Sequence, residues 1–523
     1  MNFTGTGGSN TQVDSGVGGR VIMALALLAA LFSVFSCGGG GGGGSTPADS
    51  ALEGSGEGGS PSGGGNGGWE SSTPLALAFG ETYKGEEFAS YLRELHVNRT
   101  KFFLHWLQIE PSRDEYTFDL IDAFLDQLEP GEEPLVTIFT SSDWAAEGVG
   151  KGFPPLDYDE YYEFIYTLVS HCKGKVKYWQ RDTEPATDNH WDINRYVEYV
   201  DTQKRFFDAV KDADPDALVI GVGHAGGWWN GEIANPRFFE YFLHFARDHF
   251  DILDVRLYRD QYTIPDRVGW FRDKMEQLGY DKPIVSTEYG GPDPSQFEDG
   301  FSELTDILVD WRNSEFFIEE EEDRVAWWKY LHSVRDTVAT PSARMFLAEC
   351  DSELEEKQTR IFCRDMVQRT TLILSTGIEL AWYWNLCAPW FHCLGPHPLF
   401  GKLRLVDART GVRQPLFYNY QRMAGMFEGF AAITAIEASD PDTYAYRLDR
   451  GDRGDLYVAW EKRDLFSGED LPASSVDLTC PWLSVKVTDV FGNEQVIEGN
   501  GDGTITLDLT DTPLYLEEDV IGS

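Results

Sequence analysis

Two glutamates stand apart because of what precedes them. Glu184 closes the run Trp179-Gln180-Arg181-Asp182-Thr183-Glu184-Pro185, and Glu288 lies in Pro283-Ile284-Val285-Ser286-Thr287-Glu288-Tyr289-Gly290. If each run is a strand, each carboxylate is presented at or just past the strand's end. Two carboxylates facing one cleft can divide a reaction between them. One, kept protonated, hands a proton to a departing oxygen; the other, ionised, attacks the carbon that oxygen leaves. That division is what hydrolysis of a glycosidic bond requires. The residue type alone carries little. Glu-Pro occurs four times, at Glu110, Glu129, Glu133 and Glu184, and among 87 acidic residues an arbitrary Glu is a solvated surface charge. Position is what distinguishes Glu184 and Glu288.

Elements must exist that bring these distant residues together. From Pro74 onward short apolar runs alternate with amphipathic helical stretches, the pattern of repeated strand–helix units. The predicted strands are Leu75–Phe79, Thr100–Leu104, Leu135–Phe139, Val176–Gln180, Leu218–Val222, Ile252–Leu257, Ile284–Thr287 and Ile378–Trp382. Helices are predicted between them, for example over Glu86–Leu95, Phe118–Leu128, Asp159–His171, Ile193–Ala213, Pro236–His249 and Arg267–Leu278, where apolar residues such as Tyr162, Phe164, Ile165 and Leu168 recur at helical spacing. Eight strands with intervening helices predict an α/β fold, a closed (β/α)8 barrel. An open doubly wound sheet is the alternative, but Gly80-Glu81-Thr82-Tyr83 after the first strand is no phosphate-binding turn. In a barrel the functional groups sit at the C-terminal ends of the strands. Glu184 then follows the fourth strand and Glu288 the seventh. A barrel running to residue 430 exceeds the usual ~250 residues and implies insertions; the acidic stretch Phe316–Asp323 and the segment up to Thr359 read as one. After Phe427 no long helix is predicted. Leu456–Trp460, Val485–Val490 and Thr504–Leu509 alternate like strands, separated by turns such as Asn500-Gly501-Asp502-Gly503, and predict a small antiparallel β-sandwich.

Several segments resemble the clan of retaining (β/α)8 glycoside hydrolases, in particular its β-xylosidase-like and cellulase-like families. They are Trp106-Leu107-Gln108-Ile109-Glu110-Pro111 with Tyr116-Thr117-Phe118 after strand two, Trp144 after strand three, Lys282-Pro283-Ile284 leading to Thr287-Glu288-Tyr289-Gly290, and Trp382-Tyr383-Trp384 at strand eight. The resemblance implies Glu184 as acid/base, Glu288 as nucleophile, Tyr258 as the hydroxyl bonding the nucleophile, and Trp144 and Trp384 as cleft aromatics, with no cofactor and no metal. It also implies that Lys101 and Thr183 touch substrate, although both depart from the clan's pattern. Thr183 stands where that pattern has Asn, and Lys101 where strand two commonly carries Arg, so that a bidentate clamp is replaced by a point charge. Arg256 stands where the pattern has His. The implied activity is cleavage of a neutral oligo- or polysaccharide. Thr183 and Arg256 leave open a non-catalytic or weakly active sugar-binding protein on the same barrel, and a transglycosylase would share every residue named.

The remaining signals bound the setting. Lys and Arg total 43 against 87 Asp and Glu, a net charge of −44 that repels nucleic acid and polyanionic glycans. Acid-rich surfaces also serve solubility in salty media. The 16 Trp and 23 Tyr suit sugar stacking but equally ordinary cores. Val21 to Phe35 is an apolar run too short for a membrane span of about 20 residues and fits a signal-peptide core. Val34-Phe35-Ser36-Cys37 resembles a bacterial lipobox, which implies export, lipidation at Cys37 and a membrane partner through that anchor at the cell envelope. The expected organisation is a signal peptide over 1–37, a disordered Gly/Ser-rich tether over 38–72, the barrel over 73–430 and the sandwich over 431–523. Of the other cysteines, Cys350/Cys363 and Cys387/Cys393 are close enough in sequence to pair in an exported protein, while Cys172 and Cys363 could equally be buried thiols. His224 with Trp228 and Trp229, and His392 and His397, are candidates for the cleft or for loop packing.

Overall fold

The computed structural model describes residues 73–519 apart from 84, 187–189, 225–226, 230, 298–299, 301–302, 304–332, 334–336, 347–351, 388–401, 408–409 and 439. Cys37, the tether to residue 72, the acidic stretch 316–323, Cys350, Cys393, His392 and His397 lie outside the described residues. Cys172, Cys363, Cys387 and Cys480 carry free thiols.

Eight parallel strands close into a barrel: β1 (Leu75–Thr82), β2 (Arg99–His105), β3 (Glu133–Phe139), β4 (Tyr178–Arg181), β5 (Leu218–His224), β6 (Ile252–Val255), β7 (Ile284–Tyr289) and β8 (Ala381–Trp384). Closure is direct, since β1 pairs with both β2 and β8. Each strand leads to a helix: α1 (Ala89–Glu94), α2 (Asp119–Leu125), α3 (Tyr158–His171), α4 (Tyr196–Ala213), α5 (Pro236–Phe245), α6 (Ile264–Gln277), α7 (Ser352–Ser375) and α8 (Pro415–Phe427). The eight runs read from the sequence are these strands, with displaced ends. The last moved most: β8 ends at Trp384, which is therefore a strand residue at the mouth.

The strands are apolar on both faces because both faces are covered. Inside, Ala76, Leu135, Tyr178, Ile220, Ile252, Val285, Leu380 and Trp382 fill the lower barrel as a cluster of their own. Outside, Phe102 of β2 stacks on Phe124 of α2 at 3.5 Å between ring centroids. In α3 the buried set is Tyr161, Phe164, Ile165, Leu168 and Val169, and Asp157 caps the helix by accepting from the backbone of Asp159 and Glu160.

Helix α7 corrects the expectation of an insertion up to Thr359, because it begins at Ser352. Its buried face includes Arg364, Asp365, Gln368, Arg369, Thr370 and Thr371, so apolar periodicity does not mark it. Arg369 pairs with Asp365 one turn away, at 2.7 Å, with both side chains fully buried.

The C-terminal strands are β9 (Ala432–Ala435), β10 (Thr443–Asp449), β11 (Leu456–Glu461), β12 (Ser474–Thr479), β13 (Ser484–Asp489), β14 (Glu494–Glu498), β15 (Thr504–Leu509) and β16 (Leu514–Glu518). They form a six-stranded antiparallel sheet in the order β9-β10-β11-β16-β13-β14 and a two-stranded β12-β15 ribbon. Val476, Leu478, Val485, Val487, Ile505, Leu507 and Leu516 make a core between them. The unit is tied to α7, where Glu469 meets Arg364 at 2.7 Å and Arg360 at 2.9 Å.

Candidate active site

Strict alternation along β7 would turn Thr287 inward and Glu288 outward. The register prevents this. Ser286 pairs with Ala381 and Tyr289 with Tyr383, so β7 has one residue more than β8 between the two pairs. Such a bulge re-aims side chains. Ser286 closes it by donating from Oγ to the Glu288 carbonyl at 3.1 Å. Glu288 thereby turns into the barrel, where Lys101 Nζ donates to Oε1 at 2.9 Å and Tyr258 hydroxyl to Oε2 at 3.1 Å. Arg256 Nη1 forms an ion pair with the same Oε1. Lys101, fully buried, also donates to Thr287 Oγ1 at 3.0 Å. Burial, with Arg256 nearby, holds its amine down to about 8, against the pull of Glu288.

Glu184 arrives by a different device. Past the end of β4, Asp182 (φ 48°) and Glu184 (φ 45°) both take left-handed backbone, which non-glycine residues adopt at a cost. The turn is held by Asp182, which accepts from Thr140 N at 2.8 Å and pairs with Arg181 at 2.5 Å, both charges fully buried. Arg181 in turn lies over the Tyr199 ring at 3.8 Å and donates to the Tyr199 carbonyl. So held, Glu184 has Oε1 3.7 Å from Arg256 Nη1 and Oε2 3.7 Å from His190 Nδ1. Burial pushes its carboxyl up to about 7; Arg256 opposes the rise and Glu288 adds to it. Burial also pushes His190 down to about 4, so this imidazole is neutral at pH 7.

One guanidinium nitrogen thus reaches an oxygen of each carboxylate. The two carboxylates therefore face one another across a shared cation, and a pair of carboxylates in one cleft is what glycoside hydrolysis requires. Sequence reasoning noticed Arg256 only as a departure and missed its support altogether. Arg256 Nε donates to Asp254 Oδ2 at 2.8 Å, and Asp254 also accepts from Gln180 Nε2, Thr287 N and Thr287 Oγ1. Gly223 on β5 makes room, since a Cβ there would lie 2.6 Å from Asp254 Oδ2 and 2.8 Å from Arg256 Nε. The signal was a charged pair, Asp254 and Arg256, spaced by two inside the apolar run Ile252–Leu257.

The other candidates separate. Trp384, 7% exposed, packs at 5.8 Å from the Phe103 ring, and Phe103 lies beneath the Lys101 ammonium at 4.9 Å. Phe139 continues this wall between His105, stacked at 4.8 Å, and His190, at 6.5 Å. None of Phe103, His105, Phe139 or His190 was singled out from sequence. Thr183 is buried beside Glu184, and its Oγ1 has no hydrogen-bond partner. Trp144 instead sits on the corner after β2, donating from Nε1 to the Glu110 carbonyl at 3.0 Å, while Trp106 Nε1 donates to Glu110 Oε2 at 2.8 Å. The Trp-x-x-x-Glu spacing there staples a loop. His224 faces the helices, packed on Phe239 and Phe271, and is a core residue. Trp228–Trp229 pairs with Glu232–Ile233 in a short hairpin. Among the described residues no group of three or more His, Cys, Asp and Glu is arranged to hold a metal ion.

No family model matches the chain. A curated relative, "Epoxide hydrolase 1" of Caenorhabditis elegans, is 28% identical over 149 residues, which are 28% of this chain and 36% of that protein, so the match spans about a third of the relative's length. Solved structures match far more extensively. A family 39 glycoside hydrolase from the gut symbiont Bacteroides cellulosilyticus WH2 aligns with a TM-score of 0.58 at 14% identity, covering 86% of this chain and 81% of that one. A family 51 α-L-arabinofuranosidase from Bifidobacterium longum aligns at 0.54 and 11% identity, over 85% and 95%. A monomeric β-xylosidase from Caulobacter crescentus CB15 aligns at 0.52 and 14% identity, over 86% and 97%. At these identities the likeness establishes a shared fold, a closed parallel (β/α)8 barrel.

Proposed function

We propose that the chain is a retaining glycoside hydrolase that cleaves O-glycosidic bonds of a neutral oligo- or polysaccharide by double displacement. The observation that supports this reading is the single Arg256 nitrogen reaching both Glu184 and Glu288, because it brings two carboxylates, 104 residues apart in sequence, to one cleft as glycosidic cleavage requires. In the first step Glu288 bonds to the anomeric carbon as the glycosidic C–O bond breaks, and the Glu184 proton goes to the leaving oxygen. In the second, Glu184 takes a proton from water, the water oxygen bonds to the anomeric carbon, and Glu288 is released. A carboxyl held near 7 suits that exchange of acid and base roles at neutral pH. Tyr258 and Lys101 orient Glu288, and Trp384 with Phe103 offers an aromatic face to the sugar. The chemistry needs no cofactor.

The test is a panel of aryl glycosides, beginning with the β-xylosides and α-L-arabinofuranosides that the named activities of structural neighbours commend. The protein should release phenol from at least one; Glu184→Gln should lower that rate by about 10²–10⁴-fold, and Glu288→Gln, which removes the nucleophile, should abolish it. Hydrolysis surviving in both variants would put the activity elsewhere. Tight sugar binding without turnover would favour the sugar-binding alternative.

We also propose that the protein is exported and anchored through a lipid on Cys37, with the chain divided as signal peptide 1–37, tether 38–72, barrel 73–430 and sandwich 431–523. The apolar run ending in Ser36-Cys37 supports this. A palmitate analogue should label the protein and fail to label Cys37→Ala; label persisting in the variant would mean another anchor.

A further inference from the structure

Arg256 is fully buried, and its orientation is imposed from several sides. Asp254 holds Nε, and Gln180 and Thr287 hold Asp254 in turn. The missing Cβ at Gly223 lets Asp254 and Arg256 lie against β5. The charged and titratable groups around Arg256 come from every neighbouring element: Asp254 and Tyr258 from β6 and the loop after it, Lys101 from β2, Glu288 from β7, Glu184 and His190 from the loop after β4, and Tyr199 from α4.

Resting on the reading of Glu184 and Glu288 as acid/base and nucleophile, we propose that Arg256 is a positioning residue that fixes the separation of the two carboxylates and couples the charge of one to the protonation of the other. In the resting site Nη1 is paired with Glu288 Oε1, and Glu184 Oε1 lies 3.7 Å away. When Glu288 becomes an ester it loses its negative charge. The guanidinium charge, fixed in place by Asp254, is then left facing Glu184, which has just given its proton to the leaving oxygen. Arg256 therefore stabilises the Glu184 carboxylate at the moment when that group must act as a base. A guanidinium can do this because it keeps its proton at any working pH. The second chemical step is the one that depends on it most.

The experiment compares wild type with Arg256→Gln, Arg256→Lys and Gly223→Ala. With a dinitrophenyl glycoside, Arg256→Gln should show a burst of released phenolate, with kcat and KM falling together as the glycosyl-enzyme accumulates. Arg256→Lys should return the pH profile toward wild type while kcat stays low, because an ammonium keeps the charge but cannot span Asp254 and both carboxylates. Gly223→Ala displaces the guanidinium without removing its charge and should lower kcat. Carboxyl-13C NMR of the resting protein, assigned with Glu184→Gln, reads the coupling without substrate: in Arg256→Gln the Glu184 titration should rise by ~1 pH unit or more, as expected on losing a neighbouring opposite charge. A Glu184 titration unmoved in a folded Arg256→Gln protein overturns the proposal. So does a variant that is slowed equally in both chemical steps. Failure of every glycoside in the panel would overturn the hydrolase reading instead, and the NMR arm would still decide whether Arg256 and Glu184 are coupled.

Discussion

Glu184 and Glu288 are the same residue type in the same cleft, and their surroundings separate them. Glu288 is paired with Lys101 and Arg256 and hydrogen-bonded by Tyr258, which suits a group that works ionised. Glu184 is buried beside neutral His190, with the shared guanidinium at 3.7 Å, and burial holds its carboxyl near 7. An acid whose proton is lost near 7 should make kcat/KM for unactivated glycosides fall as pH rises through that value. With a dinitrophenyl leaving group the first step needs no proton, so the alkaline fall should disappear. Identical falls for both substrates would remove Glu184 from the acid role. Azide separates the residues by product. Glu288→Ala should regain turnover and give the inverted glycosyl azide, because azide replaces the nucleophile; Glu184→Ala should give the retained azide, because Glu288 still forms the intermediate. The opposite stereochemistry would exchange the assignments.

At the scale of elements, what could be read from the sequence and what could not differ for physical reasons. The strands were legible because barrel strands are buried on both faces and read as apolar runs, as Leu135 to Phe139 does. Their last residues were not, because the aim of a side chain there depends on register between strands. The extra residue in β7 that turns Glu288 inward exists only relative to β8, and the space at Gly223 exists only relative to Asp254 and Arg256. Helix α7 hid because it buries charge in pairs, and β14 hid because it is short and almost wholly exposed, so that no apolar alternation marks it. The turn after β4 shows the same dependence on contacts made elsewhere. Its left-handed residues are held by Asp182 against Arg181 and against Thr140 from the loop after β3. Asp182→Ala would leave Arg181 as an uncompensated buried cation, which costs about 3–5 kcal/mol. Urea unfolding should register that loss, and kcat should fall with it as Glu184 loses its setting. A variant with wild-type stability and rate would show that the turn holds itself.

Across the whole molecule, α7 is one of several elements that join the sandwich to the mouth of the barrel; Tyr262, which accepts from Trp460 Nε1 at 3.1 Å, and Arg422 of α8, which donates to the Val490 carbonyl, are others. Arg360 and Arg364 of α7 hold Glu469, Gln368 donates to the Asp511 carbonyl, and Arg369 on the same helix donates to the carbonyls of Leu257 and Arg259 on either side of Tyr258. A change at the sandwich is therefore expected to reach the loop that carries Tyr258. The junction should be acid-sensitive. Burial acts to raise the Glu469 carboxyl, but hydrogen bonds from Arg360 and Arg364 outweigh it and hold the group down to about 2 from an ordinary 4.5. A carboxyl whose folded value is depressed contributes stability that is fully present above its unfolded value and is lost as pH falls through the folded one. The contribution should thus be complete at pH 7, on the order of 3 kcal/mol, and should drain away between about 4.5 and about 2. Glu469→Gln tests this. The variant should unfold at lower urea than wild type at pH 7, and the gap should narrow steadily below pH 4.5. Tyr258 should feel the change as well, so kcat should fall modestly at pH 7 although Glu469 lies on the other side of α7. A gap that stays constant from pH 7 to pH 3 would mean that the Glu469 pair contributes through shape alone. A loss of stability with no change in kcat would mean that α7 bears the sandwich without transmitting its docking to Tyr258.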